Sequence, residues 1–194
     1  APVLRVVNIA SFIASVVVYA VGFNQPPAAT VPQMGQHKSQ FEPRMLAITA
    51  GQKIDFTNLD KFFHNVFSLS KSRRFDLGQY KKGRSKQKTF PRKGIVEVYC
   101  NIHPKMSATI LVLPNRAFAF TAADGSFKLT DVPPGSWTVF AYSRRAVRPV
   151  RVKNVAVAAG KVTKVEGLNI DETKSDFAHK NKYGEAYKDK KARY

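Results

Sequence analysis

Residues 95–113 read Ile95-Val96-Glu97-Val98-Tyr99-Cys100-Asn101-Ile102-His103-Pro104-Lys105-Met106-Ser107-Ala108-Thr109-Ile110-Leu111-Val112-Leu113. Two runs rich in β-branched residues, 95–99 and 109–113, flank a turn, and such runs predict strands. The turn carries a thiol, an imidazole and a thioether at spacings of three. Cys100 ends the first strand, which aims its sulfur inward, and Pro104 stiffens the turn by fixing φ. A second imidazole, His64, lies 36 residues upstream, where another strand-like run, His64-Asn65-Val66-Phe67, begins.

One thiolate, two imidazoles and one thioether suit a mononuclear copper site that shuttles between Cu(I) and Cu(II) with little change of geometry. Zinc fits less well, since it favours several cysteines or histidines and no thioether. Cys100 is the chain's single cysteine, so no disulfide framework exists. His64, Cys100, His103 and Met106 are therefore the candidate ligands of one copper ion. His37, beside Lys38, and His179, in a polar segment, have weaker settings. Met34 and Met45 read as packing residues.

Outward from this turn, short apolar runs recur with turn signals between them: 45–48, 53–56, 64–67 and 109–113. Their spacing predicts an all-β sandwich. Pro114-Asn115 marks a boundary. Beyond it Asp124-Gly125 sits between alternating apolar runs, a hairpin signal, and 137–140, 150–157 and 162–170 supply further strands. Residues 6–23 carry no charge and reach the lower limit of a membrane span. Asn8, two serines and the run Val16-Val17-Val18-Tyr19 favour instead two strands, 3–8 and 15–21, joined near residues 10–14. The chain opens Ala1-Pro2-Val3 with no basic leader, which reads as a mature end after signal-peptide removal. Residues 171–194 are polar, with seven basic and five acidic side chains. They read as a tail, disordered alone or a short helix against a partner.

The 194-residue chain has a net charge of +19. Ten basic residues (Lys71, Arg73, Arg74, Lys81, Lys82, Arg84, Lys86, Lys88, Arg92, Lys93) fall between 71 and 93 against the single acid Asp76. This run is either a solvated loop or a docking patch for an acidic redox partner. Its aromatics, Phe75, Tyr80 and Phe90, are not interleaved with the cations in the manner used to stack bases, which disfavours nucleic acid. An anionic membrane surface is a further acidic contact that fits.

The segment from about Gln36 to Leu113 resembles the small type 1 copper proteins, the cupredoxins of the plastocyanin, pseudoazurin and amicyanin group. Phe41-Glu42-Pro43, Ala50-Gly51 through Asn58, His64 through Ser68 and Tyr99 through Met106 carry the resemblance, and the short Cys100-to-Met106 turn is most similar to amicyanin. A bacterial periplasmic family often labelled methylamine-utilisation-like is closer still. It joins this domain to a second β module, and its Phe-Asp-Leu-Gly run stands here at Phe75–Gly78. The resemblance implies His64, Cys100 and His103 as equatorial ligands and Met106 as the axial one. It also implies that Asn65 ties the two ligand loops. His103 would be the solvent-facing ligand, with Phe63, Pro104 and Lys105 at its rim.

Residues 121–139 are similar to the carboxypeptidase-regulatory-like, transthyretin-like sandwich, a likeness that speaks to fold and not to activity. This organisation gives a copper domain at 24–113, a discontinuous sandwich from 1–23 and 114–170, and a tail at 171–194. The function expected is periplasmic single-electron transfer, with an acidic protein such as a c-type cytochrome or a larger membrane redox complex as partner. The placement expected is periplasmic, free or associated with the membrane. The alternative is a structural or docking subunit in which the copper site is secondary. No nucleophile–base set is visible in the second module, so a peptidase is not expected there. A catalytic copper site needs an open position or a carboxylate ligand, and Met106 in the axial place with no carboxylate beside the ligand turn argues against one, so an enzyme is not expected.

Overall fold

The computed structural model describes residues 16–173 and 179–186, and the backbone of 3–6. The expected join near residues 10–14 lies outside them. All regular structure in the described residues is β, in sixteen strands. None of them forms a helix long and apolar enough to cross a membrane. In chain order the strands are β1 (Val3–Val6), β2 (Val17–Val21), β3 (Gln33–His37), β4 (Gln40–Glu42), β5 (Met45–Thr49), β6 (Lys53–Asn58), β7 (His64–Ser70) and β8 (Arg73–Tyr80). They continue as β9 (Ser85–Thr89), β10 (Gly94–Tyr99), β11 (Ser107–Leu113), β12 (Phe118–Phe120), β13 (Phe127–Leu129), β14 (Gly135–Tyr142), β15 (Val150–Val157) and β16 (Val162–Lys164).

Two compact units divide the chain. The first comprises 1–28, 47–50 and 113–175, and the second comprises 29–46, 51–112 and 176–194. In the first unit β1 pairs antiparallel with β13 and parallel with β16, while a second sheet runs β12-β2-β14-β15. The core between them is aliphatic: Val16, Val18, Ala20, Leu129, Val132, Val139 and Ala141 are fully or almost fully buried. Val17 and Val18, which a membrane reading would assign to a helix, instead face Tyr142 and Ala141 across the β2–β14 ladder. Asn115, at the sequence boundary, is buried. It donates to the carbonyls of Ala20 and Phe23, at 3.0 Å each, and accepts from the Ala117 amide.

In the second unit a four-stranded sheet, β4-β3-β6-β9, and a five-stranded sheet, β5-β11-β10-β7-β8, share an aromatic core. Phe56 on β6 meets Phe75 on β8 at 6.1 Å, and Phe90 packs edge-on to Phe75 at 5.9 Å. Period-two burial in β6, whose Ile54, Phe56 and Asn58 point inward, reflects a sheet with one face on the core. Met34 and Met45 are buried in packing positions.

Trp137 lies between two glycines of the first unit. A Cβ on Gly22 would come within 2.7 Å of the indole and one on Gly135 within 2.6 Å, and both have φ in the left-handed region, +121° and +147°. The indole N–H donates to the Pro133 carbonyl at 2.8 Å, which fixes the ring in that slot. Gly22→Ala should therefore lower stability by about 1–3 kcal/mol through strain and overpacking. Denaturant unfolding followed by fluorescence of Trp137, the chain's single tryptophan, measures it. An unchanged midpoint would show that the slot is loose.

Candidate metal centre

The site is built from β7, β10 and the turn that follows β10. Tyr99 pairs with Phe67 across the β7–β10 ladder, so His64, which opens β7, and Cys100, which follows β10, come to the same end of one sheet. The ladder between β7 and β8 shifts register between Asn65 and Phe67. Such an irregularity breaks strand alternation and re-aims side chains. The strand is also covered on both faces, since His64, Asn65, Val66, Phe67 and Ser68 are all buried. The turn is closed by its own backbone: Cys100 N–H donates to the Met106 carbonyl at 3.1 Å, and Met106 N–H to that of His103 at 3.0 Å.

Cys100 Sγ lies 3.7 Å from His64 Nδ1 and 3.6 Å from His103 Nδ1, and the three donor atoms fall within 4.8 Å of one another. Among the described residues this is the one group of this kind. Two donors bound to one first-row ion, at about 2.0–2.1 Å for nitrogen and 2.3 Å for sulfur, stand roughly 3.7 Å apart at a trigonal angle. The spacing thus fits a shared ion. His64 and Cys100 are fully buried, Met106 is 1% exposed, and His103 is half-buried. His37 lies elsewhere, 3.3 Å from Glu42 on the β3–β4 hairpin, and His179 stacks on Tyr99.

Asp60 orients the first imidazole. Its Oδ2 is 2.8 Å from His64 Nε2, and it accepts the Lys38 and Ser39 amides at 2.8 and 2.9 Å. Those amides converge because Lys38 and Ser39 both adopt positive φ, +50° and +57°, in the tight turn between β3 and β4. An ionised carboxylate only accepts, so Nε2 keeps a proton, and Nδ1 is the nitrogen left to bond the Cys100 sulfur or, once deprotonated, to offer its lone pair to a bound ion. Burial works against the Asp60 charge, but the Ser39 amide, His64 and the Lys38 amide outweigh it and hold the carboxyl below its usual range.

Burial likewise pushes the Cys100 thiol up. Hydrogen bonding with His64 and with the amides of Asn65, Ile102 and His103 more than offsets this and leaves it below the ordinary thiol value. The thiolate, which is the form that binds a metal, is thereby favoured. Burial pushes His64 down, yet Cys100 and Asp60 together raise it. Burial and the neighbouring charge of His64 lower His103, with Asp60 opposing.

Asn65 bridges the two ligand segments: its Oδ1 accepts the Asn101 amide at 2.6 Å and its Nδ2 donates to Asp76 at 2.9 Å. Phe62 packs against both ligand rings, 5.0 Å from His64 and 5.5 Å from His103. Phe62, Phe63, Leu59 and Ile102 are exposed apolar side chains, and Pro104 and Lys105 are exposed on the ligand turn. The basic run occupies β8, β9 and the turns beside them. Lys71, Arg74, Lys81, Lys82, Arg84, Arg92 and Lys93 are exposed, and Arg73, Lys86 and Lys88 are partly buried. Lys86 and Lys88 lie over the rings of Tyr80 and Phe75. Sequence reasoning missed Asp60, Phe62 and the role of Asp76. For Asp60 its place four residues before His64 was the available signal.

Residues 29–113 match the family model of copper binding proteins, plastocyanin/azurin family. No curated protein matches the chain significantly. Among solved structures the chain is similar to a purple cupredoxin from Nitrosopumilus maritimus, at 21% identity over 42% of this chain and 99% of that one, with a TM-score of 0.39. It is similar to a reduced mutant of amicyanin at 19% identity over 50% of this chain and 98% of that one, TM-score 0.41. It is also similar to a copper-containing nitrite reductase from Thermus scotoductus SA-01 at 22% identity and TM-score 0.41. There it covers 45% of this chain and spans only 25% of that enzyme. With the donor set in place, the cluster of His64, Cys100 and His103 fits a type 1 copper site.

Replacing the carboxylate that fixes the His64 tautomer should weaken the site without dismantling it. Asp60→Asn is expected to reduce copper affinity by about tenfold or more, read by competition with a calibrated chelator. Affinity equal to that of the unaltered chain would remove Asp60 from the site.

Proposed function

We propose that the chain is a periplasmic type 1 copper protein that passes single electrons between redox partners. His64, Cys100 and His103 would hold the ion, with the buried Met106 thioether as the candidate fourth donor. The observation that carries this reading is the convergence of one thiolate sulfur and two imidazole nitrogens within 4.8 Å, in a stretch matching the copper-binding family. Bound copper supplies a one-electron couple. The chain supplies the rest: Asp60 locks one imidazole, and the Cys100–Met106 backbone bond closes the turn. A frame held this way moves little between oxidation states, which keeps transfer fast. His103, half-buried beside exposed Phe62 and Pro104, is the place where an electron would leave.

The partner in this reading is an acidic redox protein, such as a c-type cytochrome or a larger membrane complex. The cations of 71–93, with Pro104 and Lys105, would meet it. Their charge suits steering and gives association that weakens with salt. The carboxylate nearest the ligands faces His64 Nε2 and is occupied by two amides, which supports a carrier over an enzyme. A second reading is a docking subunit with a secondary copper site, for which the first unit, a β-structure with an aliphatic core of its own, supplies a separate body.

Cu(II) loading decides between them. The carrier reading expects an intense thiolate-to-copper band in the visible and a narrow hyperfine splitting in paramagnetic resonance, both lost in Cys100→Ser. A pale protein with an ordinary tetragonal signal would overturn it in favour of the subunit reading. For the docking face, Lys81→Glu with Lys82→Glu should slow association with an acidic redox protein severalfold at low salt, and stopped-flow rates at two ionic strengths measure this. Equal rates would place docking elsewhere.

A further inference from the structure

Residues 179–186 lie against the ligand turn in the second unit. Asn181 organises them into a compact turn. Its backbone amide donates to the Glu185 carbonyl at 2.8 Å, and its carbonyl accepts from Gly184, whose φ of +83° the turn requires. Asn181 Oδ1 also accepts the amides of Tyr183 and Glu185, at 2.9 and 3.0 Å. The turn presents both ends of Lys182. Its amide donates to Asn101 Oδ1 at 2.8 Å and its ammonium to Asp76 Oδ2 at 2.8 Å. Three residues earlier, His179 stacks on Tyr99 at 4.3 Å with an angle of 23° between the rings.

These contacts close a ring. Lys182 joins Asn101 to Asp76, Asp76 accepts from Asn65 Nδ2, and Asn65 Oδ1 accepts from the Asn101 amide. Two members are chain neighbours of ligands: Asn65 follows His64, and Asn101 follows Cys100. Direction around the ring is set by charge. Asp76 can only accept, so it draws the NH₂ end of Asn65 toward itself and leaves the oxygen for the Asn101 amide. Lys182 and the Gly78 amide hold Asp76 ionised and in place, against the burial that opposes its charge.

We propose that the C-terminal turn is a positioning element of the metal centre, with Lys182 and Asp76 as positioning residues that fix Asn65 and Asn101 between the two ligand segments. Its meaning for copper rests on the function proposed above, whereas the ring itself is a property of the polypeptide. The ion pair is partly exposed, with both side chains about one-third accessible. Its loss therefore has a small effect, about two- to fivefold in a local equilibrium.

The test uses the full chain with Lys182→Met, Lys182→Arg and Asn181→Ala. The last removes a side chain whose hydrogen bonds go to Tyr183 and Glu185 and to none of the four ring residues, and so loosens the turn that presents Lys182. Hydrogen exchange of the Asn101 amide is read by NMR in metal-free protein, with the Val96 amide, paired in the β10–β11 ladder, as reference. Lys182→Met and Asn181→Ala are expected to speed Asn101 exchange about two- to fivefold and leave Val96 unchanged, while Lys182→Arg restores it. In Cu(II)-loaded protein the same two variants should shift the thiolate-to-copper band and speed copper release to a chelator by a similar factor. Asn101 exchange equal to that of the unaltered chain, or an equal rise at Val96, would overturn the proposal. A missing visible band in the unaltered protein would instead count against copper, and the metal-free exchange would still decide the ring.

Discussion

The pairing of β7 with β10 is the constraint from which the site follows. Donors that lie 36 residues apart meet because two antiparallel strands run side by side and end level with each other. A slip of one residue would turn every side chain of a strand to the other face. On β10 Val96 and Val98 are fully buried while Ile95 is exposed and Glu97 partly so, and a slip would turn the two valines out. The aromatic core of the second unit thus sets the register, and the register sets where the thiolate and the first imidazole stand. His64 and Asn65 pair in regular register with Tyr80 and Gln79 before the β7–β8 irregularity, and both are buried because this strand is covered on both faces there.

Much of this was legible in the chain. Cys100, His103 and Met106 sit within one turn, where sequence spacing nearly fixes spatial spacing. The strands at 53–58 and 95–99 follow from period-two patterning and β-branched residues. Residues 17–21 form a strand because Val17-Val18-Tyr19 packs on a neighbouring ladder, and polar Asn8, Ser11 and Ser15 had already argued against a membrane span. Asp60 and the Asp76–Lys182 pair were not legible. Asp60 acts through a hairpin more than twenty residues upstream, whose positive-φ turn is not announced by Lys38-Ser39. Lys182 meets Asp76 across 106 residues. No local pattern encodes a meeting of that kind. The expectation of a free tail or a helix at 171–194 gave no hint of the Asn181 turn, which depends on one asparagine and one glycine.

In a chain of 32 basic and 13 acidic residues, two acids stand around the centre and play the same part. Each is an acceptor with no proton to give, so each dictates the orientation of an ambiguous neighbour. Asp60 chooses the tautomer of His64, and Asp76 chooses which way the Asn65 amide faces. An imidazole and a carboxamide are nearly symmetric in shape and could each be placed two ways. Fixed negative charges remove that ambiguity before any metal arrives.

The strands β8 and β9 each form one edge of a sheet in the second unit, opposite β5 and β4. Their basic side chains have a consequence apart from any partner. An open strand edge offers unpaired amides and carbonyls to a neighbouring molecule and can template fibrils, and lysine or arginine along it prevents that approach. Arg73 and Arg74 guard one edge, and Lys86 and Lys88 the other. The same cations thus act as colloidal protection, keeping copies of the chain from pairing edge to edge when crowded.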